Sequence, residues 1–148
     1  MHKFVHAHDY YLNKGNMHEL SQMSYVFVCV DKNATRAMIT GYLVDTGISF
    51  SDVGLGVNLV DDKLIGAVRV TTATSSKNDH LSFRIFSEDS DNNEYATNIQ
   101  IAELNCMNAL FAILKWKRLS GFYIDDRQDF NTTFNVALNQ MSNEEEGA

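Results

Sequence analysis

The chain has no proline, and its 148 residues include only two cysteines, one tryptophan and eight glycines. Without proline it lacks the residue that stiffens turns and extended spacers, which favours one continuous unit over modules joined by linkers. Cys29 and Cys106 are too few for a disulfide framework, so free thiols and a cytoplasmic setting are expected. They form no C-x-x-C pair, which excludes a zinc ribbon or a thioredoxin-like centre. Cysteine–histidine catalysis needs an accessible, acidified thiol. Cys29 stands in the most apolar run and Cys106 in a helical pattern, so both read as core residues.

Positive charge is scarce too. Lys and Arg number 12 against 19 Asp and Glu, a formal charge of −7. A phosphate backbone or an anionic membrane surface is held by many cations, so neither nucleic acid nor membrane is the expected partner. No run approaches the roughly 20 apolar residues of a membrane span. Residues 1–9 carry no apolar stretch of the secretory kind, so no leader is expected. The familiar phosphate-binding loop and the G-x-S-x-G nucleophile elbow are absent. Gly54-Leu55-Gly56 opens like a dinucleotide fingerprint, but Leu59 occupies the third glycine position and the segment opens no helix.

What is present is a folding composition, 45% hydrophobic and 11% aromatic. A chain of this length buries roughly 70% of its unfolded surface, enough for one core. The expectation is a single globular domain over residues 1–142, followed by a polar acidic tail at 143–148. Alternation predicts a strand over 3–11. The run 24–30 reads as a central strand covered on both faces, with a hairpin partner over 37–44. Glycines make 48–56 an irregular connection. Strands over 57–60 and 64–74 flank a turn at Asp61-Asp62-Lys63, and 81–85 reads as a half-buried strand. Thr97 and Gln100 fit a capping box ahead of a helix carrying Ile101, Leu104, Met107, Phe111 and Leu114, which stops at Gly121. A short strand over 122–124 precedes a last helix, capped by Asp126, with Phe130, Phe134, Ala137, Leu138 and Met141 along one side. Strands first and helices last predict the α+β class: an antiparallel sheet of about five to six strands in the N-terminal two-thirds, with two C-terminal helices packed on one face. The uncovered face calls for a second copy, so a homodimer is expected.

Several residue groups carry candidate chemistry. His6 and His8 are two apart, which on a strand puts both imidazoles on one face, roughly 6–7 Å apart. They fit two positions on a divalent transition metal, with Asp125, Asp126 or His80 as the third ligand. The competing view is a pair of surface histidines. Asp89, Asp91 and Asn93 match the opening of a calcium loop, but Glu94 and Gln100 stand where glycine and a bidentate glutamate belong. Lys115-Trp116-Lys117-Arg118 resembles a miniature nucleic-acid patch, yet cations at a helix C-terminus are explained by the helix dipole. Asp61-Asp62 and Asp125-Asp126 read as a turn and a helix cap and not as acid–base pairs.

With no catalytic constellation in view, the expected function is a non-enzymatic protein–protein interaction module, of the inhibitor, immunity, adaptor or chaperone kind. An acidic surface or exposed sheet face would meet a protein partner, a basic one by charge complementarity. The alternative is a small metal-dependent or ligand-binding protein built around His6 and His8.

Overall fold

A computed structural model describes residues 5–83 and 99–143. The elements run β1 (Val26–Val28), α1 (Asn33–Asp45), β2 (Phe50–Val60), β3 (Lys63–Ala73), α2 (Ala102–Leu119), β4 (Asn131–Asn135) and β5 (Gln140–Asn143), with short 3-10 segments at Met17–Gln22 and Asp79–Phe83. The class is α+β, as expected, but the sheet is mixed. Five strands lie in the order β1-β2-β3-β4-β5. β1 runs parallel to β2, and each following pair is antiparallel.

The parallel pair explains why residues 33–45 form a helix and not the hairpin strand expected over 37–44. Two parallel strands need a crossover connection, and a helix is the usual one. The β-branched residues and Gly41 of this segment are weak helix formers, but Ile39, Thr40 and Leu43 all reach the interior at helical spacing. They join Met17, Val28, Phe50, Ala73 and Leu81 in the core. Tertiary packing decides the segment over propensity.

β2 also departs from expectation. The stretch over 48–56 is no loose connection: it forms the first half of an unbroken strand from Phe50 to Val60. The turn that follows agrees with the sequence reading. Asp61 and Asp62 both adopt positive φ, 48° and 58°, the mirror-image turn whose twist suits a two-residue hairpin.

α2 is the helix the spacing predicts, ending where Gly121 takes a φ of 72°. The Gly121 and Phe122 amides donate to the Arg118 and Lys117 carbonyls, 2.9 Å each, which is the Schellman arrangement. Its inward stripe is shifted, however. Leu104, Asn108, Ala112 and Lys115 are buried, while Leu114 is exposed. Two polar residues are drawn inward because each finds a partner there: Asn108 the Gly54 carbonyl, Lys115 the Asp125 carboxylate. Thr97, expected to cap α2, lies outside the described residues, as do Asp89, Asp91, Asn93 and Ile85. Ile101 stands at the cap position with no side-chain hydrogen bond.

The remaining corrections concern both ends. Residues 5–11 form no strand, 81–83 belong to a 3-10 segment, and 122–124 form no strand. The C-terminal helix is replaced by the β4–β5 hairpin, turning at Asn139 with a φ of 48°. Thr132, Thr133 and Phe134 suit a pleated surface, and the open edge of β3 offers that hairpin a ladder. The run at 24–30 shrinks to the three residues of β1, which is an edge strand and not a central one.

Helices therefore cover both faces of the sheet near β1 and β2. α1 meets the face carrying Val28, Phe50 and Asp52. α2 meets the alternate residues, where Trp116 packs its ring against Tyr25 and Phe27. On that side the Tyr25 hydroxyl, Ser51 Oγ and Thr72 Oγ1 form a chain at 2.7 and 2.8 Å.

His80 ties the 3-10 segment to β3. Its buried ring sits 2.9 Å from the Thr72 carbonyl through Nε2, so Nε2 carries the proton, while Nδ1 has no hydrogen-bond partner. Burial holds its pKa below the ordinary value, more strongly than the carbonyl contact raises it. The native state thus resists the proton that the unfolded chain takes up near pH 6.5. The stability this contributes is full above about pH 6.5 and is lost as the pH falls from there towards the depressed folded value. Urea unfolding at pH 7.5 and pH 5.5 is expected to show a fall in stability that His80→Phe reduces.

Candidate functional site

The features converge on a cleft at the carboxyl end of β1. β1 stops at Val28 while its neighbour β2 continues to Val60, so beyond Asp52 that edge of β2 has no strand partner among the described residues. α1 begins on one side of that step and the first half of α2 borders the other. Between them lies a cleft of about 730 Å³, whose lining includes Asp31, Asn33 and Arg36 from the β1–α1 turn and Gly54 and Gly56 from β2. Asn105 and Asn108 of α2 close it. In open sheets with parallel strands, ligands bind in the crevice beyond the carboxyl ends of those strands.

The floor is built on a buried carboxylate. Asp52 has no exposed surface. Its Oδ1 accepts from Arg36 Nε at 2.8 Å and its Oδ2 from Arg69 Nη2 at 2.7 Å. Removal from water pushes the Asp52 carboxyl above the usual range, and the two guanidiniums pull it back without cancelling that effect. Arg36 does more than pair. Its Nη1 donates to Asn33 Oδ1 at 2.7 Å and its Nη2 to the Val30 carbonyl at 2.6 Å. One side chain thus shapes the turn that forms the cleft wall.

Gly54 explains its own place in a strand. A Cβ there would stand 3.1 Å from Arg69 Nη2 and 3.3 Å from Nε, so the missing side chain is what lets the guanidinium lie across β2. The Gly54 carbonyl accepts from Asn108 Nδ2 at 2.9 Å, away from β3. In an antiparallel strand the amide and carbonyl of one residue face the same edge, and the pattern repeats every second residue. The Gly54 and Gly56 amides therefore face the cleft.

Two further observations describe what the cleft can hold. α1 opens with Lys32 at its cap position, no side-chain cap and no acid in its first turn. The positive end of its dipole therefore meets no acid within its own first turn, a setting that favours an anion. Asn108 is buried at 4% exposure, and its Oδ1 has no hydrogen-bond partner among the described residues. With Nδ2 committed to Gly54, this oxygen is an acceptor lacking a donor.

Of the residues singled out by sequence, Cys29, Gly54, Gly56 and Gln100 line this cleft, and the candidate metal ligands fall elsewhere. His6 and His8 are both exposed. His8 Nδ1 lies 2.6 Å from the Tyr10 hydroxyl and 4.0 Å from Glu19, and Tyr10 also bonds Glu19. Among the described residues no group of three or more His, Cys, Asp and Glu side chains gathers as a metal would require. His80 is engaged with Thr72, and Asp125 with Lys115 at 2.8 Å, so the structure does not bring them to His6 and His8. Both cysteines are exposed and not core residues. Cys29 lines the cleft, but partial removal from water and then the Asp52 charge push its thiol pKa up, away from the reactive thiolate. Of the basic cluster, Lys115 is buried and Lys117 lies 4.7 Å over the Phe122 ring. Sequence reading missed Arg36, Asp52, Arg69 and Asn108. A charge amid the apolar run of β2 was the available signal.

No family model matches the chain, and no curated protein does either. Its fold, an α+β unit with a mixed five-stranded sheet, recurs among solved structures. One is the crystal structure of PaaA, solved with selenomethionine, which shares 13% identity at a TM-score of 0.56. The match covers 90% of this chain and 46% of that one, so this chain spans about half the length of PaaA. That likeness concerns the fold alone.

Asp52→Ala removes the buried carboxylate that Arg36 and Arg69 share. Breaking a buried pair in this way costs roughly 3–5 kcal/mol. Urea unfolding of the variant is expected to show a loss of that size, and a loss near zero would remove Asp52 from its structural role.

Proposed function

We propose that the chain is a ligand-binding domain whose cleft beyond β1 takes a small polar molecule bearing an anionic group and at least one hydrogen-bond donor. The observation that carries this reading is the convergence, in one cleft, of the α1 N-terminus, with no acid in its first turn, and a buried Asn108 Oδ1 that has no partner among the described residues. The first calls for an anion and the second for a donor. A volume of about 730 Å³ falls within the range of small-molecule sites. A mononucleotide has the size, the anionic end and the donors that these features ask for. The ligand-binding alternative drawn from the sequence is thereby supported at this cleft, with residues other than His6 and His8.

Gly56→Asp provides the test. A Cβ at Gly56 meets nothing within 4 Å, so the variant should fold while placing negative charge in the cleft. The melting temperature of the unaltered protein is expected to rise with AMP. A ligand at a hundred times its dissociation constant adds about 2.7 kcal/mol of stability. The rise should vanish in Gly56→Asp. An equal rise in both proteins, or none with AMP, inorganic phosphate or other mononucleotides, counts against the cleft.

The protein–protein interaction module is a second reading, favoured by the outer side of α2. Leu110 and Ile113 are exposed there, and Phe122, Tyr123 and Ile124 follow in the next segment. Residues 104–114 contain no charged side chain, so two copies can meet through that stretch of α2 without charge repulsion, and a homodimer is the form this reading takes. Sedimentation velocity is expected to show dimers that Ile113→Glu returns to monomers. A monomer at every concentration, unchanged by the variant, speaks against it.

A further inference from the structure

On the α2 side of the sheet, away from the cleft, lies a second and smaller cavity of about 150 Å³ between the end of α2 and strands β3 to β5. Its lining includes Phe111, Lys115, Arg118, Asp129, Phe130 and Asn143. The charges in this wall are unequally used. Lys115 is settled: its Nζ lies 2.8 Å from Asp125 and 4.9 Å from the centre of the Phe130 ring. Asp129 is 8% exposed, and its carboxylate has no hydrogen bond or ion pair among the described residues. A carboxylate in a cavity wall with no protein partner offers acceptors to a cation or donor in the cavity. Asn143 Oδ1 is a buried acceptor without a partner among the described residues. Arg118, on the same wall, also has no ion pair there.

We infer that this cavity binds a small zwitterionic amino acid. Its ammonium group is received by Asp129 and Asn143 Oδ1 between the two phenylalanines, and its carboxylate by Arg118. Each part of the ligand answers one feature. Two acceptors and an aromatic wall suit an ammonium group. A guanidinium suits a carboxylate, which it can bind through two parallel hydrogen bonds. A void of about 150 Å³ admits a small amino acid such as glycine, alanine or serine. With Lys115 cancelled by Asp125, the remaining pair of opposite charges matches a ligand with no net charge and disfavours a simple amine or a simple acid.

The inference is independent of the cleft beyond β1, and its test does not involve AMP. The melting temperature would be followed with L-alanine, glycine, methylammonium and acetate, in the unaltered protein and in Arg118→Gln and Asp129→Asn. Arg118 is exposed, so its variant keeps the fold even if loss of Asp129 disturbs it. L-alanine and glycine are expected to raise the melting temperature of the unaltered protein, with affinity about tenfold weaker in either variant, the equivalent of one lost charged contact. Methylammonium and acetate, alone or together, should not reproduce the rise. A rise that persists in both variants is general solute exclusion and overturns the inference. So does a response to methylammonium equal to that for L-alanine, or no response to either amino acid.

Discussion

Asp52 sits with no exposure to water between two guanidiniums, and each of its oxygens accepts one charged hydrogen bond. Three elements depend on that arrangement. Arg36 anchors the start of α1 to β2, Arg69 anchors β3 to the same point, and Arg36 reaches back to Val30 to hold the turn leaving β1. A buried ion pair is weak evidence for net stability, because desolvation offsets most of the attraction. Its value here is positional. It ties the start of α1 and the turn leaving β1 to β2 and β3 at the place where β1 ends and the cleft begins.

The cleft then follows from a few local requirements. Gly54 is needed because Arg69 lies where its side chain would be. Asn108 is turned inward because the Gly54 carbonyl has lost its neighbouring strand and needs a donor. That donation leaves Oδ1 waiting for a partner. The N-terminal end of α1, with no acid in its first turn, supplies the opposite preference in the same cleft. The same residues that complete the fold at this point therefore also set the chemistry of what the cleft would accept.

Much of the architecture was legible in the sequence, and the failures have a common cause. α2 and the hairpin at Asp61-Asp62 were readable because their signals are local: helical spacing with a terminal glycine, and a polar pair between apolar runs. α1 and the β4–β5 hairpin were misread because distant partners override their propensities. Residues 33–45 are rich in β-branched side chains, but the parallel pairing of β1 with β2 requires a crossover there. Phe130, Phe134 and Met141 recur as on a helix, but the open edge of β3 recruits them into strands. The cleft was illegible for the same reason. Its ion pairs join Asp52 to residues 16 and 17 positions away, and Asn108 reaches a carbonyl 54 positions away. The histidines of His6-Ala7-His8 drew notice through spacing alone, whereas no local spacing marks Arg36, Asp52 and Arg69 as a set.

The most direct test of the cleft is an amide nuclear magnetic resonance titration of the isotopically labelled chain with AMP. The expected result is saturable shifts confined to Gly54 and Gly56, the first turn of α1 and the Asn108 side-chain amide. Shifts that map elsewhere, or a spectrum unchanged at saturating ligand, would contradict the assignment of this cleft as the binding site.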